Sequence, residues 1–401
     1  MSDAACGSLT SRTNFPEYIE LVKNVTKGDF SLVHRCRKEV CGALWGSGNA
    51  DISGIGMATG YVLQTVISFV IVSFFLWTNS RDASKWRYAR RVLASLASKF
   101  YDNAVFFTFA VQLASIAALT KVNMGVSAEG MGVLTMKITW AISNLTLLPL
   151  LPMALGTSLY DKDMELQRGM PTSFWHPRKH TAPAATQRHP SLASERVSDD
   201  KTMVGAENRQ RFGLLVVCWC LSVWPFVSRM IANYGKSQIG DSPEAVITDI
   251  DWSKIEEACF AGVVATSPSE DSAMNIWGVV SWLFFSVILV YKIIALGIKS
   301  RHEQQWKWIC DHNLALDVET VPGCQLWTLI WISTLVLSVG QLWSFFRLQR
   351  LQRDMTRAAG SSYTDEQFTF GQIVSVIVFV PVLVEGLYLW RNRRLYHRGV
   401  D

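Results

Sequence analysis

Seven long runs of apolar residues recur along the chain, and a more polar segment separates each run from the next. At a rise of 1.5 Å per residue, runs of this length cross a hydrocarbon core of about 30 Å as α-helices. The pattern therefore predicts an all-α fold, a polytopic membrane helical bundle with about seven transmembrane helices. The predicted spans are Gly54–Trp77, Ala104–Thr120, Gly130–Leu155, Phe212–Ala232, Met274–Ile298, Cys324–Phe346 and Phe370–Trp390.

Lys and Arg in the connecting loops predict the orientation of the bundle, because cytosolic loops carry the excess of basic residues. One set of loops holds 22 Lys and Arg and the alternate set holds 13. The richer set includes the C-terminal tail, which predicts a cytosolic C-terminus and a lumenal or outer N-terminus. The resulting segments are a lumenal tail (1–53), spans 1–3 (54–160), a disordered cytosolic linker (161–211), spans 4–7 (212–391) and a cytosolic tail (392–401).

Composition agrees with a membrane protein. Only 18% of the residues are charged, against about 25% in soluble chains. The net charge of +5 is too small and dispersed to indicate nucleic-acid binding. Residues Met1 to Arg12 hold no apolar run, so the first span is expected to act as the insertion signal of a multi-pass protein of the endoplasmic reticulum.

Two features support a lumenal N-terminal tail. Asn24-Val25-Thr26 is an N-glycosylation sequon, which is used only in the lumen. Four cysteines fall on the predicted lumenal side, where disulfides persist. Either Cys36 or Cys41 is expected to pair with Cys259, the alternative being a local Cys36–Cys41 pair or free thiols; Cys218 and Cys220 lie within a span and are expected to pack.

Charged residues inside spans are costly and are functional candidates by default. Glu385 and Lys292 stand at a similar level near the cytosolic end, and Tyr101, Asp102 and Asn103 begin the second span there. The cytosolic third is therefore the best candidate for a polar pocket, whereas Lys137 and Arg229 belong to the lumenal third. Structural alternatives stay open: Glu385 could pair with Lys292, Asp102 could cap its helix, and Lys292 and Arg229 could snorkel to the interface.

The sequence lacks the motifs that are typical of several kinds of catalytic and binding site. No cluster of His, Cys, Asp or Glu has metal-ligand spacing. No phosphate-binding glycine motif stands between a strand and a helix, and no aspartate-rich run could hold magnesium and diphosphate. The topology is that of G-protein-coupled receptors, but the third and seventh spans lack the motifs of that family.

A closer resemblance begins just before the first span. The segment from Cys36 to Cys41, followed by Ala43-Leu44-Trp45-Gly46-Ser47-Gly48-Asn49-Ala50-Asp51-Ile52-Ser53-Gly54-Ile55-Gly56, resembles the entrance to fungal seven-span membrane proteins. These include the membrane-bound terpene cyclases of meroterpenoid biosynthesis, of the ascofuranone and ascochlorin type. The similarity covers roughly twenty residues, and the remainder matches in architecture only.

The resemblance implies an enzyme of secondary metabolism that protonates an epoxide or olefin of a farnesylated phenol and cyclises it without metal or cofactor. Such chemistry needs a protonated carboxylic acid in an apolar site and aromatic faces for cationic intermediates. The candidate acids are Glu385, Asp102 and Asp51. The candidate substrate-binding residues are Lys292, Tyr101, Asn103 and Trp45.

Two other classes of function stay open. A receptor-like or sensor protein would couple a ligand to a cytosolic partner. A small-molecule transporter would use Lys137 and Arg229 to line its substrate path.

Overall fold

A computed structural model describes most of the 401-residue chain as helix. The described residues are 6–9, 14–27, 30–46, 48–79, 83–121, 132–155, 191–234, 238–243, 245–301, 321–360 and 370–391. Their helices are Phe15–Thr26, Ser31–Arg35, Arg37–Trp45, Ala50–Ser53, Ile55–Asn79, Ala83–Lys121, Val133–Leu147, Leu150–Leu155, Ser191–Tyr234, Asp249–Phe260, Pro268–Arg301, Val321–Ala358, Phe370–Ile377 and Val380–Arg391.

Within the described ranges, seven helical segments are long and apolar enough to cross a membrane, which confirms the predicted bundle. We number them as spans 1 to 7. They are Ala50–Thr78, Val92–Thr120, Val133–Leu155, Gln210–Tyr234, Pro268–Ala295, Leu326–Ala358 and Gly371–Tyr388. Three boundaries differ most from the prediction. Span 2 begins twelve residues before the predicted Ala104, span 5 begins six residues before the predicted Met274, and span 6 ends twelve residues after the predicted Phe346.

The cap is a group of short helices at one end of the bundle, formed by Phe15–Thr26, Ser31–Arg35, Arg37–Trp45 and Asp249–Phe260. Disulfides Cys6–Cys36 and Cys41–Cys259 close it, so the predicted pairing of Cys259 with one of the two tail cysteines is confirmed. Inside the cap the ring of Trp252 contacts both Phe15 and Trp45. We call this end of the bundle the cap face and the other end the far face.

Span 3 occupies the centre of the bundle. It packs against spans 1, 2, 4, 5 and 6 and is buried along its length. Its helix breaks between Leu147 and Leu150, and side chains of neighbouring spans donate to carbonyl oxygens in this stretch. Gln64 and Thr108 donate to Thr146, and Ser68 donates to Pro149. Backbone that leaves the helical pattern at membrane depth must find such donors within the protein.

Spans 1 and 7 pack closely because of glycines. The backbone N–H of Gly56 donates to Gln372 Oε1 at 3.1 Å, and Ser375 Oγ donates to the Gly56 carbonyl at 2.9 Å. A Cβ on Gly56 would lie 2.7 Å from the Gln372 carbonyl oxygen, closer than side-chain atoms approach. Glycine therefore lets span 7 lie against the beginning of span 1.

The predicted linker 161–211 is described only in its last part. Residues 156–190 lie outside the described residues, and helix Ser191–Tyr234 already begins at Ser191, before span 4. The helix of span 6 continues past the predicted end at Phe346 to Ala358 and contains the four arginines from Arg347 to Arg357.

Candidate functional site

A bidentate ion pair joins spans 2 and 4 in the half of the bundle nearer the far face. Arg211 Nε and Nη2 donate to the two carboxylate oxygens of Asp102 at 2.6 and 2.8 Å, and Nη2 also donates to Ser98 Oγ at 2.8 Å. Asp102 lies well inside helix Ala83–Lys121, so the alternative that it caps a helix N-terminus is wrong. The guanidinium occupies both carboxylate oxygens of Asp102, which suits this residue poorly to a role as proton donor.

A cavity of about 270 Å³ lies beside this ion pair, between spans 2 and 4. Phe106 on its rim is 61% exposed on the outer surface of the bundle, so the cavity opens sideways. Its lining is half apolar, with a buried tyrosine and the ion pair as polar groups: Tyr101, Asp102, Val105, Phe106, Gln210, Arg211 and Leu214. A small pocket with few polar groups in apolar walls is the usual form of a small-molecule site.

The structure thus brings the predicted candidates Tyr101 and Asp102 together with Arg211, which the sequence analysis had assigned to the linker. Asn103 follows Asp102 on the same helix but is not among the lining residues. The sequence feature that could have marked Arg211 as a site residue is its position directly before the predicted start of span 4. Nothing in a single sequence indicates that this arginine turns toward span 2.

Glu385 lies near the far-face end of span 7 and is partly buried. Ser95 Oγ of span 2 donates to Glu385 Oε1 at 3.3 Å. The ion pairs found among the described residues do not include Glu385. Leu383, Val384 and Leu387 around it are exposed on the outer surface. The carboxyl group therefore stands at the seam of spans 2 and 7 with a neutral partner and apolar neighbours.

Lys292 does not pair with Glu385, the partner that the sequence left open, but binds a backbone carbonyl. Its Nζ donates to the carbonyl oxygen of Ala154 at 2.8 Å, at the end of span 3. The proposed Glu385–Lys292 pair is therefore not formed in this structure. Lys292 instead binds one of the carbonyls that the end of the span 3 helix leaves open.

Asp51 and Trp45 lie at the cap face, at the opposite end of span 1 from Glu385. Asp51 is exposed in the short helix Ala50–Ser53, and its backbone N–H donates to the capping side chain of Asn49 at 3.1 Å. Trp45 is buried in the cap, with ring centroids 5.4 Å from Trp252 and 5.3 Å from Phe260. These two candidates therefore lie in a different part of the bundle from Glu385 and Asp102.

The segment that resembles the fungal cyclases serves packing in this structure. Gly46 has a φ of 88°, and Gln352 Nε2 donates to its carbonyl oxygen at 3.3 Å. Asn49 caps the next helix, and Gly56 receives span 7. Gly46 is therefore explained by its backbone conformation, Gly56 by the close approach of span 7, and Asn49 by its role as a helix cap.

A second polar cluster lies in the half of the bundle nearer the cap face. Lys137 of span 3 forms an ion pair with Asp271 of span 5. Arg229 of span 4 donates through Nε to Asn275 Oδ1 at 3.1 Å and lies over the ring of Trp140, 5.7 Å from its centroid. Arg229 is only 3% exposed, so it does not snorkel to the surface. Beside this cluster, Arg347 pairs with Glu270 at 3.2 Å.

The sequence analysis missed both carboxylates of this cluster. It began span 5 at Met274, which left Glu270 and Asp271 in the preceding loop. In the structure both acids stand in the first turn of helix Pro268–Arg301, where the N-terminal end of a helix favours negative charge. Two adjacent acids directly before an apolar run are the signal that could have placed them there.

Among the described residues, no group of three or more His, Cys, Asp or Glu side chains is placed to hold a metal ion. Among these residues, the candidate groups at the far face are the carboxyl group of Glu385, the Asp102–Arg211 pair and the phenol of Tyr101. Comparison with known protein families, curated proteins and solved structures gives no match to this chain.

Proposed function

We propose that the chain is an integral-membrane terpene cyclase, which protonates an epoxide or olefin of a farnesylated phenol and closes its rings. The observation that carries the proposal is the setting of Glu385, a carboxyl group inside a span whose partner is the neutral hydroxyl of Ser95. The short sequence resemblance before the first span points to the same class of enzyme.

The geometry favours Glu385 among the three candidate acids. Asp102 is neutralised by Arg211 in a bidentate pair, and Asp51 is exposed at the other end of the bundle. Burial of an unpaired carboxylate in a span is costly, most of all at its centre. Glu385 lies inside span 7 near its far-face end and has no ionic partner among the described residues, and we assign the first proton transfer to it.

The reaction that we propose balances without a cofactor. The Glu385 carboxyl gives its proton to the epoxide oxygen, the C–O bond opens, and the neighbouring double bonds attack in turn to form carbon–carbon bonds. The last carbocation loses a proton, so that the product is an isomer of the substrate and the carboxyl group can be restored. Because protonation starts the cyclisation, no metal or diphosphate is required.

The 270 Å³ cavity is the proposed place for the phenolic head. Arg211, Asp102 and Tyr101 supply polar contacts there, while the farnesyl chain leaves through the side opening into the bilayer. Ser95 and Asp102 are seven residues apart on span 2, about 10 Å at 1.5 Å per residue. A farnesyl chain held in the cavity by its head therefore reaches the level of Glu385.

In this proposal the cap lies in the lumen of the endoplasmic reticulum, and the far face lies toward the cytosol. The excess of Lys and Arg in the loops of the far face supports this orientation. Both disulfides belong to the cap, and a compartment in which disulfides persist suits them.

The test is an assay of microsomes that contain the chain, with farnesylated phenols that have or lack a terminal epoxide. Isomers of unchanged mass that form only when the chain is present, and that still form in excess EDTA, are the expected result. Accumulation of unchanged substrate in sealed vesicles would contradict the proposal in favour of transport. Failure to convert either substrate would also contradict it.

A further inference from the structure

The polar cluster near the cap face borders a small, partly open cavity with an excess of positive charge. Its lining is Lys137, Trp140, Ala141, Arg229, Asp271, Met274, Asn275, Gln341, Ser344 and Leu348. The ionisable groups of that lining are two cations and one carboxylate. The neighbouring pair of Arg347 and Glu270 is neutral as a unit. The cavity therefore carries one positive charge that its own lining does not balance.

Donors also outnumber acceptors around the cavity. Trp140 is 4% exposed, and its Nε1 has no hydrogen-bond partner among the described residues. Arg229 has five N–H donors, and both of its hydrogen bonds among the described residues go to one acceptor, Asn275 Oδ1. A buried donor without an acceptor is costly. An acceptor that carries negative charge would satisfy these donors and balance the positive charge of the cavity.

Size limits what that acceptor can be. The space open to the centre of a water-sized sphere is about 10 Å³, which leaves room for one water molecule or one small ion. A phosphate, a carboxylate-bearing molecule or a lipid headgroup is larger than this. A monatomic anion and a single water molecule are of the right size, and only the anion balances the charge.

The position of the cluster provides a route for an ion. The Asp271 and Lys137 side chains are 33% and 17% exposed, whereas Arg229 behind them is almost fully buried. An anion could therefore enter past the ion pair and reach Arg229 from the cap face. There it would touch spans 3, 4, 5 and 6 together.

We propose that this cavity is a chloride site, in which Arg229 and the indole N–H of Trp140 hold one chloride ion and so fasten spans 3 to 6 to one another. The proposal does not depend on the cyclase activity. A bound ligand stabilises the folded state in proportion to ln(1 + [L]/Kd). Chloride should therefore raise the unfolding temperature of the protein, and this rise should level off once the site is saturated.

The experiment measures the thermal unfolding midpoint of the purified full-length chain in nanodiscs. Sodium chloride replaces sodium gluconate at constant ionic strength, so that general screening stays the same. We expect a saturable rise in the midpoint with chloride, and a similar rise with bromide. Equal midpoints in chloride and gluconate would mean that the cavity holds water only and would overturn the proposal.

Three variants locate the effect. Arg229→Gln should abolish the chloride-dependent rise, and Arg350→Gln, which changes an exposed arginine of span 6, should keep it. Trp140→Phe keeps a ring but removes the donor, and it should weaken chloride binding roughly tenfold, as expected for loss of a hydrogen bond to a charged group. If Arg229→Gln does not fold, Trp140→Phe still tests the site. A chloride effect that Trp140→Phe leaves at full strength would overturn the assignment.

Discussion

At the cap face, Lys137, Arg229 and Arg347 have charged or amide partners and lie beneath a cover that two disulfides close. At the far face, the cavity beside Asp102 and Arg211 opens sideways, and Glu385 has only a hydroxyl group as its partner among the described residues. The cap-face cluster ties four spans together. The far-face groups stand at seams between two spans, where a molecule from the bilayer can reach them.

This difference separates charges that serve structure from a charge available for chemistry. A paired charge inside the bundle is costly to disturb, because removal of one partner leaves the other buried and uncompensated. A carboxyl group with a neutral partner and apolar neighbours can exchange its proton without breaking an ion pair. The account therefore expects large losses of stability from changes at the cap face, and losses of activity from changes at the far face.

The largest expected loss of stability follows removal of the Cys41–Cys259 disulfide. These cysteines are 218 residues apart in the sequence, and the chain-entropy model assigns such a long loop up to about 5 kcal/mol. Cys41→Ser should greatly lower the folded fraction in detergent, measured by size-exclusion chromatography of a fluorescent fusion. Cys220→Ser is the control, since Cys220 is an exposed free thiol. Similar folded fractions for the two variants would show that the cap does not stabilise the bundle.

A smaller loss should follow Asp271→Asn. The change leaves Lys137 without its ionic partner inside the bundle and should destabilise the fold by about 2 kcal/mol, less than for a fully buried pair because Asp271 is a third exposed. Asp354→Asn is the matched control, because its contact with Arg353 is 4.0 Å long and exposed. The measurement is the unfolding midpoint of each variant, and equal midpoints would contradict the prediction. Partial recovery of the midpoint in the double variant Lys137→Met, Asp271→Asn would identify the unpaired amine of Lys137 as the cause.

The smallest expected effect on stability is that of Asn24→Gln. Asn24 is exposed in the last turn of helix Phe15–Thr26, so the change should alter stability by less than about 0.5 kcal/mol. It should nevertheless remove one glycan and increase gel mobility, if the cap lies in the lumen. An unglycosylated wild-type chain, together with residues 170–208 protected from protease in sealed microsomes, would contradict the proposed orientation.

The sequence predicted the spans well because long apolar runs are a strong and local signal. Its errors lie where polar or charged residues continue a helix beyond the apolar run. Ser95 and Ser98 precede the predicted start of span 2 at Ala104, and Asp271 precedes the predicted start of span 5 at Met274. Those residues then contributed partners that the analysis had not considered. Helix extension costs little at such places, because backbone hydrogen bonds are satisfied whether or not the side chains are apolar.

The candidate site was predictable only in part. A single sequence gives the depth of Glu385, Lys292 and Asp102 in the membrane, but not the side of the helix that faces a neighbour. The choice of partners, Ser95 for Glu385 and the Ala154 carbonyl for Lys292, depends on how the spans pack. The segment from Cys36 to Gly56 gave the clearest likeness to a family, yet its side chains lie at the cap face, away from the proposed chemistry.

The most direct test of the proposed role of Glu385 is a comparison of the turnover of farnesylated phenols by the wild-type chain and by Glu385→Gln. Glutamine keeps the shape and can still accept a hydrogen bond from Ser95, but it has no acidic proton to give. Asp51→Asn, an exposed change at the cap face, serves as the control. The account predicts that Glu385→Gln folds and retains substrate like the wild type but forms no cyclised isomer, while Asp51→Asn remains active. Normal product formation by a well-folded Glu385→Gln chain would contradict the role of Glu385 as the acid.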